Sequence, residues 1–157
     1  MTSPEPTLVF PPFPKMTWDK FLEQWKFEED FSSGVHRGSV EVFLKMNGPI
    51  PTDAQISAYE YLNANEAAVA EAVLTALYKE YRLNYPNSYW DMPKITKKAQ
   101  LLELELLSEP QIVILPEEER GTAYIFYDFD SWDEEHGHGV KLHKRRVLKV
   151  GGVADVL

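Results

Sequence analysis

Residues 52–84, with the sequence TDAQISAYEYLNANEAAVAEAVLTALYKEYRLN, carry the clearest structural signal in the chain. Thr52 and Gln55 have the spacing of a capping box, in which two side chains satisfy the first free N–H groups of a helix. Asn65 interrupts the pattern, and apolar residues then recur at helical spacing until Pro86. The pattern predicts a pair of helices, or one kinked helix, over about residues 52–84.

Short segments rich in β-branched and aromatic residues flank this helical block on both sides. Their composition and alternation are typical of strands. The predicted strands are Ser39–Met46 before the block and Gln111–Leu115, Thr122–Phe129, Val140–His143 and Arg146–Val150 after it. Strands on both sides of a central helical block predict an α+β fold, with a mainly antiparallel sheet and the helices packed on one of its faces.

Two further segments fit more than one structure. Trp18, Phe21 and Trp25 lie at positions i, i+3 and i+7, which fits a short helix capped by Thr17 but also a loop and a strand. Residues 97–107 could form a short helix, but their leucine spacing suits a strand equally well.

The first 16 residues form a proline-rich segment. They hold five of the eleven prolines, which predicts an extended arm with a short strand near Leu8–Phe10. We expect the aromatic rings of Phe10 and Phe13 to dock this arm on the body of the protein. The sequence shows neither an internal repeat nor a linker, so residues 1–157 are predicted to form a single domain.

The composition excludes several classes of protein. The 157 residues include no cysteine, which rules out disulfides, thiolate catalysis and cysteine-bound zinc and fits a reducing cytoplasm. No apolar run approaches the roughly 20 residues of a membrane span, and we expect no signal peptide. The formal charge of −9 disfavours nucleic acid and anionic membranes as partners and favours a basic protein. We predict a cytoplasmic protein without a cofactor.

The segment 128–143 concentrates the residues that could carry chemistry. Its acidic and histidine residues are Asp128, Asp130, Asp133, Glu134, Glu135, His136, His138 and His143. A metal-dependent hydrolase would use His136 and His138 as ligands, because they share a face if the segment is extended. Its catalytic groups would be Asp133, Glu135 and His136. The spacing matches no strong metal motif, and no activated nucleophile accompanies it, so an enzyme is the alternative prediction.

A loop between two strands accounts for the same segment without catalysis. Gly137 and Gly139 would give the backbone room to turn, and an aromatic residue would anchor the loop. The leading prediction is therefore a binding module that steers a basic protein partner with acidic charge. Its predicted binding residues are Trp132, Asp133, Glu134, Glu135 and His136.

The sequence WDEEHGHGV at residues 132–140 resembles the C-terminal motif of an uncharacterised bacterial family, the domain of unknown function numbered 6985. Weaker similarity, including Gln55 and Tyr59, extends over about residues 35–155. The resemblance implies no activity. The family commonly has an aliphatic residue where His138 stands here, which argues against a metal pair at His136 and His138. By analogy, small acidic domains of this kind resemble immunity proteins that neutralise toxins.

Residues 136–157 form a basic island on this acidic chain. They contain five lysines and arginines and a single acid, Asp155. We expect these cations to pair with acidic neighbours across strands. A binding patch for a partner is the alternative.

Overall fold

The structure, a computed structural model, describes residues 5–157, so residues 1–4 of the predicted arm lie outside the described residues. Within this range the chain forms eight strands, three α-helices and one 3-10 helix. The strands are β1 (Thr7–Leu8), β2 (Met16–Asp19), β3 (Gln24–Ser32), β4 (Arg37–Lys45), β5 (Gln111–Ile114), β6 (Thr122–Tyr127), β7 (His138–His143) and β8 (Arg146–Gly151). The α-helices are α1 (Asp53–Ala64), α2 (Glu66–Asn84) and α3 (Val153–Val156), and the 3-10 helix spans Lys98–Glu103.

The strands form one sheet whose spatial order follows the chain from β1 to β8. Among the described residues, β4 and β5 are the one parallel pair, with Glu41 opposite Gln111, and all other neighbouring strands are antiparallel. Parallel neighbours require a long crossover, and here α1, α2 and the 3-10 helix supply it. The predicted α+β class with a mainly antiparallel sheet is confirmed.

The helix pair is also confirmed, with one residue, Asn65, between α1 and α2. The capping box is present: Thr52 Oγ1 accepts a hydrogen bond from the Gln55 N–H at 3.3 Å, and Gln55 Oε1 accepts one from the Thr52 N–H at 3.0 Å. The buried Gln55 amide also donates to the carbonyl oxygens of Lys45, at 2.8 Å, and Ile114, at 3.0 Å. This side chain therefore ties the start of the crossover to the ends of β4 and β5.

The core lies where the helices meet the sheet. Its central side chains are fully buried, as expected for the apolar stripe of α2 and the inward positions of the strands; they include Val69, Val73, Leu77, Leu44, Ile112, Ile114 and Ile125. The arm joins this core, because the buried ring of Phe13 lies 4.8 Å from Tyr59 and 6.2 Å from Phe27, measured between ring centroids. No helix of residues 5–157 is both long enough and apolar enough to span a bilayer.

The short helix considered at Trp18–Trp25 is wrong, and the loop-and-strand alternative holds. β2 and β3 form a hairpin in which Trp18 lies opposite Trp25, with an edge-on ring contact at 5.1 Å. The spacing of seven positions arises because a four-residue turn, together with Asp19 and Gln24, separates the two tryptophans. The hairpin then places them opposite each other. Phe21, in that turn, is 87% exposed.

The other predicted elements differ from the structure mainly in their ends. β1 is shorter than the strand predicted at Leu8–Phe10, and β7 begins two residues before Val140. Of the two structures considered for residues 97–107, the helix is the one that forms, as a 3-10 helix over Lys98–Glu103. The short helix α3, which follows Gly152, was not predicted from the sequence.

Candidate binding cleft

A cleft of about 720 Å³ lies between the segment that follows α2 and the loop that joins β6 to β7. The first wall is formed by Tyr89, Trp90 and Asp91. The second wall is formed by Asp130, Ser131, Trp132, Asp133, Glu134, Glu135 and His136. The predicted binding residues 132–136 therefore all border one cleft, but Trp132 is itself fully buried in the core.

The last turns of α2 hold both walls in place. The fully buried Trp132 donates its indole N–H to Asn84 Oδ1 at 2.8 Å and contacts the ring of Tyr81 edge-on at 4.9 Å. The Tyr81 hydroxyl donates to the Pro93 carbonyl, just beyond the first wall. Burial raises the pKa of Tyr81 to about 12. The C-terminal end of α2 therefore contacts both sides of the cleft.

His138 lies behind the second wall, in the core. Its ring packs against Trp132 with centroids 3.8 Å apart and the planes tilted by 34°, and the residue is 3% exposed. Burial lowers the pKa of His138 to about 4, and the charge of Asp133 opposes this shift. His138 Nδ1 is buried and has no hydrogen-bond partner within residues 5–157. A neutral, desolvated imidazole at this position acts as a packing residue of the wall.

His136 lies at the exposed rim, and Asp133 orients it. The Asp133 carboxylate lies 2.9 Å from His136 Nδ1 and accepts the His136 backbone N–H at 3.3 Å. Asp133 has a positive φ of 45°, and Gly137 a φ of 64°, so the loop turns sharply between them and is not extended. The hydrogen bond and charge of Asp133 raise the pKa of His136.

The turn at Gly137 separates the two histidines that were predicted as metal ligands. His136 is exposed and His138 is buried, so their rings do not share a face. No group of three or more histidine, cysteine or acidic side chains within residues 5–157 has the geometry to hold a metal ion. The Asp133–His136 pair lies in the cleft wall, where it can serve as a general acid or base.

The cleft has a strongly negative lining. Half of its ten lining residues carry a carboxylate, and neither lysine nor arginine is among them. Within the described chain, the contact of Asp133 with His136 is the one ion pair that these carboxylates make. Like charges around a concave surface add to one another, so the cleft attracts cations. It combines unpaired acids with aromatic rings, which is the chemistry that recognises lysine and arginine side chains.

Sequence reasoning missed the first wall as part of the site. Tyr89, which is 91% exposed, Trp90 and Asp91 all lie outside the segment 128–143 that the sequence singled out. A hydrogen bond between Asn84 and Trp132 holds the end of α2 beside the second wall, and these two residues are 48 positions apart in the chain. The signal that could have identified this wall is local: a helix-ending proline is followed by two adjacent aromatic residues and then directly by an acid.

Fold and site together define a small α+β protein with an acidic, aromatic-lined cleft at the end of its longest helix. Residues 13–157 match the family described as Domain of unknown function (DUF6985), and the chain belongs to this family. The match confirms the resemblance to this family and extends it toward the N-terminus. No curated protein and no solved structure matches the chain.

Proposed function

We propose that the protein is a non-catalytic binding module whose acidic cleft receives a lysine- or arginine-rich segment of a partner protein. The observation that carries this proposal is a cleft of about 720 Å³ lined by five acids, of which Asp133 alone forms an ion pair within the described residues. In this proposed arrangement, the helices pack on one face of the sheet and support the cleft rigidly. Rigid sites bind with a lower entropic cost.

The aromatic side chains give the cleft a second means of holding a cation. Tyr89 is almost fully exposed and stands beside Trp90 and Asp91 in the first wall. A guanidinium or ammonium group above such a ring gains about 0.5–1 kcal/mol at an exposed site. Carboxylates steer a basic partner toward the cleft, and the rings then contribute to its retention. An immunity-type protein that neutralises a basic toxin is one concrete form of this module.

Fluorescence anisotropy with a labelled hexa-arginine peptide tests the proposal, with hexa-glutamate as the control peptide. We expect binding to hexa-arginine that weakens as salt rises, because salt screens exposed charges. The double variant Glu134→Gln/Glu135→Gln should bind about tenfold more weakly, as expected when two rim charges are lost. Tyr89→Ala should weaken binding with little change in its salt dependence.

The matched control is Glu60→Gln/Glu103→Gln, which removes two exposed carboxylates outside the cleft. It carries the same change in net charge, so we expect less than a twofold loss of affinity. Equal losses in the two double variants would show general attraction to an acidic protein and would contradict a specific cleft.

The metal-dependent hydrolase stays the second prediction, and the Asp133–His136 contact at 2.9 Å is the observation in its favour. Calorimetric titration of the chelator-treated protein with Zn²⁺ and Mn²⁺ separates the two functions. Stoichiometric, tight binding that His136→Ala removes would favour the hydrolase. Absence of metal binding, together with cleft-specific binding of hexa-arginine, would favour the binding module.

A further inference from the structure

The last strand, β8, forms one edge of the sheet, and the helices α2 and α3 contact it. The strand order ends at β8, and β7 is its one strand neighbour. Apart from the β7–β8 ladder, no backbone hydrogen bond of residues 5–157 involves residues 146–151. In an antiparallel edge strand, alternate N–H and C=O groups point away from the neighbour and can pair with another strand.

The two edges of the sheet differ in their protection. β1 has only two residues and follows Pro6, and short strands and prolines are common means of blocking an edge. β8 has six residues, and the chain contains no proline after Pro116. The β8 edge is therefore long enough to pair with an added strand.

The expected pairing of the basic island with acids is wrong for most of its members. Lys141 pairs with Glu118 at 3.9 Å, but the other four cations make no ion pair with any described residue. These four exposed side chains are Lys144, Arg145, Arg146 and Lys149. Lys149 even lies directly opposite Lys141, an arrangement of like charges that destabilises a strand pair. The β7–β8 hairpin thus presents unneutralised positive charge on an acidic protein.

An apolar side chain lies among these cations. The register of β7 and β8 shifts between Lys141 and Leu142, which leaves Leu148 opposite no residue of β7. Leu148 is 46% exposed. The edge therefore offers backbone hydrogen bonds, positive charge and one apolar contact to whatever binds there.

We propose that β8 is a docking edge that takes an extended acidic segment of a partner protein as a ninth strand. Acidic side chains of that segment would meet Arg146 and Lys149, and its backbone would pair with β8. Nucleic acid would use the charge but not the strand edge, so the open backbone favours a peptide. Bulges and lysines can also protect an edge against pairing, and the experiment below separates that role from docking.

The probe is a labelled eight-residue peptide of alternating valine and glutamate, measured by fluorescence anisotropy against the full chain. We expect it to bind, and a valine–lysine peptide of equal length not to bind. Two further peptides carry N-methyl groups, one on the odd-numbered and the other on the even-numbered residues. Each peptide therefore lacks the N–H donors along one edge of its strand. One of these should lose at least tenfold in affinity, since only one edge of the peptide can pair with β8.

Protein variants locate the site. Arg146→Glu/Lys149→Glu should weaken binding of the acidic peptide at least tenfold, whereas the matched control Lys79→Glu/Lys94→Glu should change it less than twofold. Circular dichroism tests whether both variants are folded. Glu134→Gln/Glu135→Gln should leave this binding unchanged, so the docking edge and the acidic cleft are tested separately.

Four outcomes would overturn the proposal. The acidic peptide could fail to bind at millimolar concentration, which would leave the cations as edge protection. Both N-methylated peptides could bind as well as the parent, which would show attraction by charge alone. A DNA duplex could bind more tightly than the peptide at equal salt. The chain could self-associate in sedimentation through a contact that the Arg146→Glu/Lys149→Glu variant abolishes.

Discussion

Replacing His138 with leucine should flatten the dependence of stability on pH. The imidazole is buried against Trp132, and burial lowers its pKa from the ordinary value of 6.5 to about 4. Above the ordinary value, both the folded and the unfolded chain hold this side chain neutral. As pH falls below 6.5, the unfolded chain takes up a proton that the folded chain refuses, so the free energy of unfolding decreases.

The size of this effect follows from the two pKa values of His138. Proton uptake by the unfolded chain lowers the free energy of unfolding by about 1 kcal/mol near pH 5.5 and about 2–3 kcal/mol near pH 4.5. Below the folded-state pKa of about 4 the effect levels off near roughly 3 kcal/mol, the product of the pKa difference and about 1.36 kcal/mol per unit. This is a large share of the stability of a domain of ordinary size.

Urea denaturation of the wild type and of His138→Leu at these pH values measures the effect. The difference between their unfolding free energies should change by about 2–3 kcal/mol between neutral pH and pH 4.5, with the wild type losing more. Other carboxylates titrate in both proteins, and the subtraction removes their contribution. Parallel pH profiles for the two proteins would refute the assignment of His138 as a buried neutral imidazole.

His136 supplies a control of opposite sign, two residues away. Asp133 raises its pKa, so its contribution to stability is present below the ordinary pKa of 6.5 and is lost as pH rises through the folded-state value. Asp133→Asn should lower the pKa of His136 in an NMR titration. His138 should stay neutral in this variant at least down to about pH 4.

Two substitutions test the packing of the sheet. Gln55→Leu should cost about 2–3 kcal/mol in urea denaturation, because the carbonyls of Lys45 and Ile114 lose their donor; a loss below that of Thr52→Ala, about 1 kcal/mol for a missing cap, would contradict this bridging role. Gly139→Ala should cost about 1–3 kcal/mol, because the added Cβ would lie 2.9 Å from the Phe126 ring. Gly48→Ala, where a Cβ meets nothing within 4 Å, is its control and should be close to neutral.

The sequence predicted the elements whose signal is local. The helix pair and its capping box depend on spacing within a few turns, and both Thr52 and Gln55 behave as their positions predict. The hairpin at β2 and β3 was ambiguous because Trp18 and Trp25 satisfy helical spacing, while the turn between them carries neither glycine nor proline. A helix and a hairpin gave the same pattern there, and the pairing of the two rings across strands selected the hairpin.

The candidate site was predicted in part, and its missing half depends on long-range contacts. Residues 132–136 were recognised from their clustered acids, and they do line the cleft. The pairing of His136 with His138 assumed an extended backbone, but Gly137 adopts a left-handed conformation and sends the two rings apart. The first wall depends on the hydrogen bond from Trp132 to Asn84, which no local pattern encodes.

The basic island shows a different limit of sequence reasoning. An excess of cations in an acidic protein suggested neutralisation by neighbours, but the register of β7 and β8 places Lys149 against Lys141. Register depends on turn geometry and on the bulge near Leu148, and both were invisible in the one-dimensional pattern.

The single parallel contact between β4 and β5 has a consequence for the order of folding. Glu41 and Gln111 lie opposite each other but are 70 positions apart in the chain, whereas the other strand pairs join neighbours through short connections. Closing a loop of this size costs entropy before any contact compensates for it, and such pairings form late. Residues 16–45 and 111–151 can each pair locally first, and β5 can join β6 in the second block. We therefore expect pulse-labelled hydrogen exchange to protect β3 and β7 before the β5 amides that bond β4. Protection of those β5 amides ahead of both hairpins would reverse this order and make the crossover helices the folding nucleus.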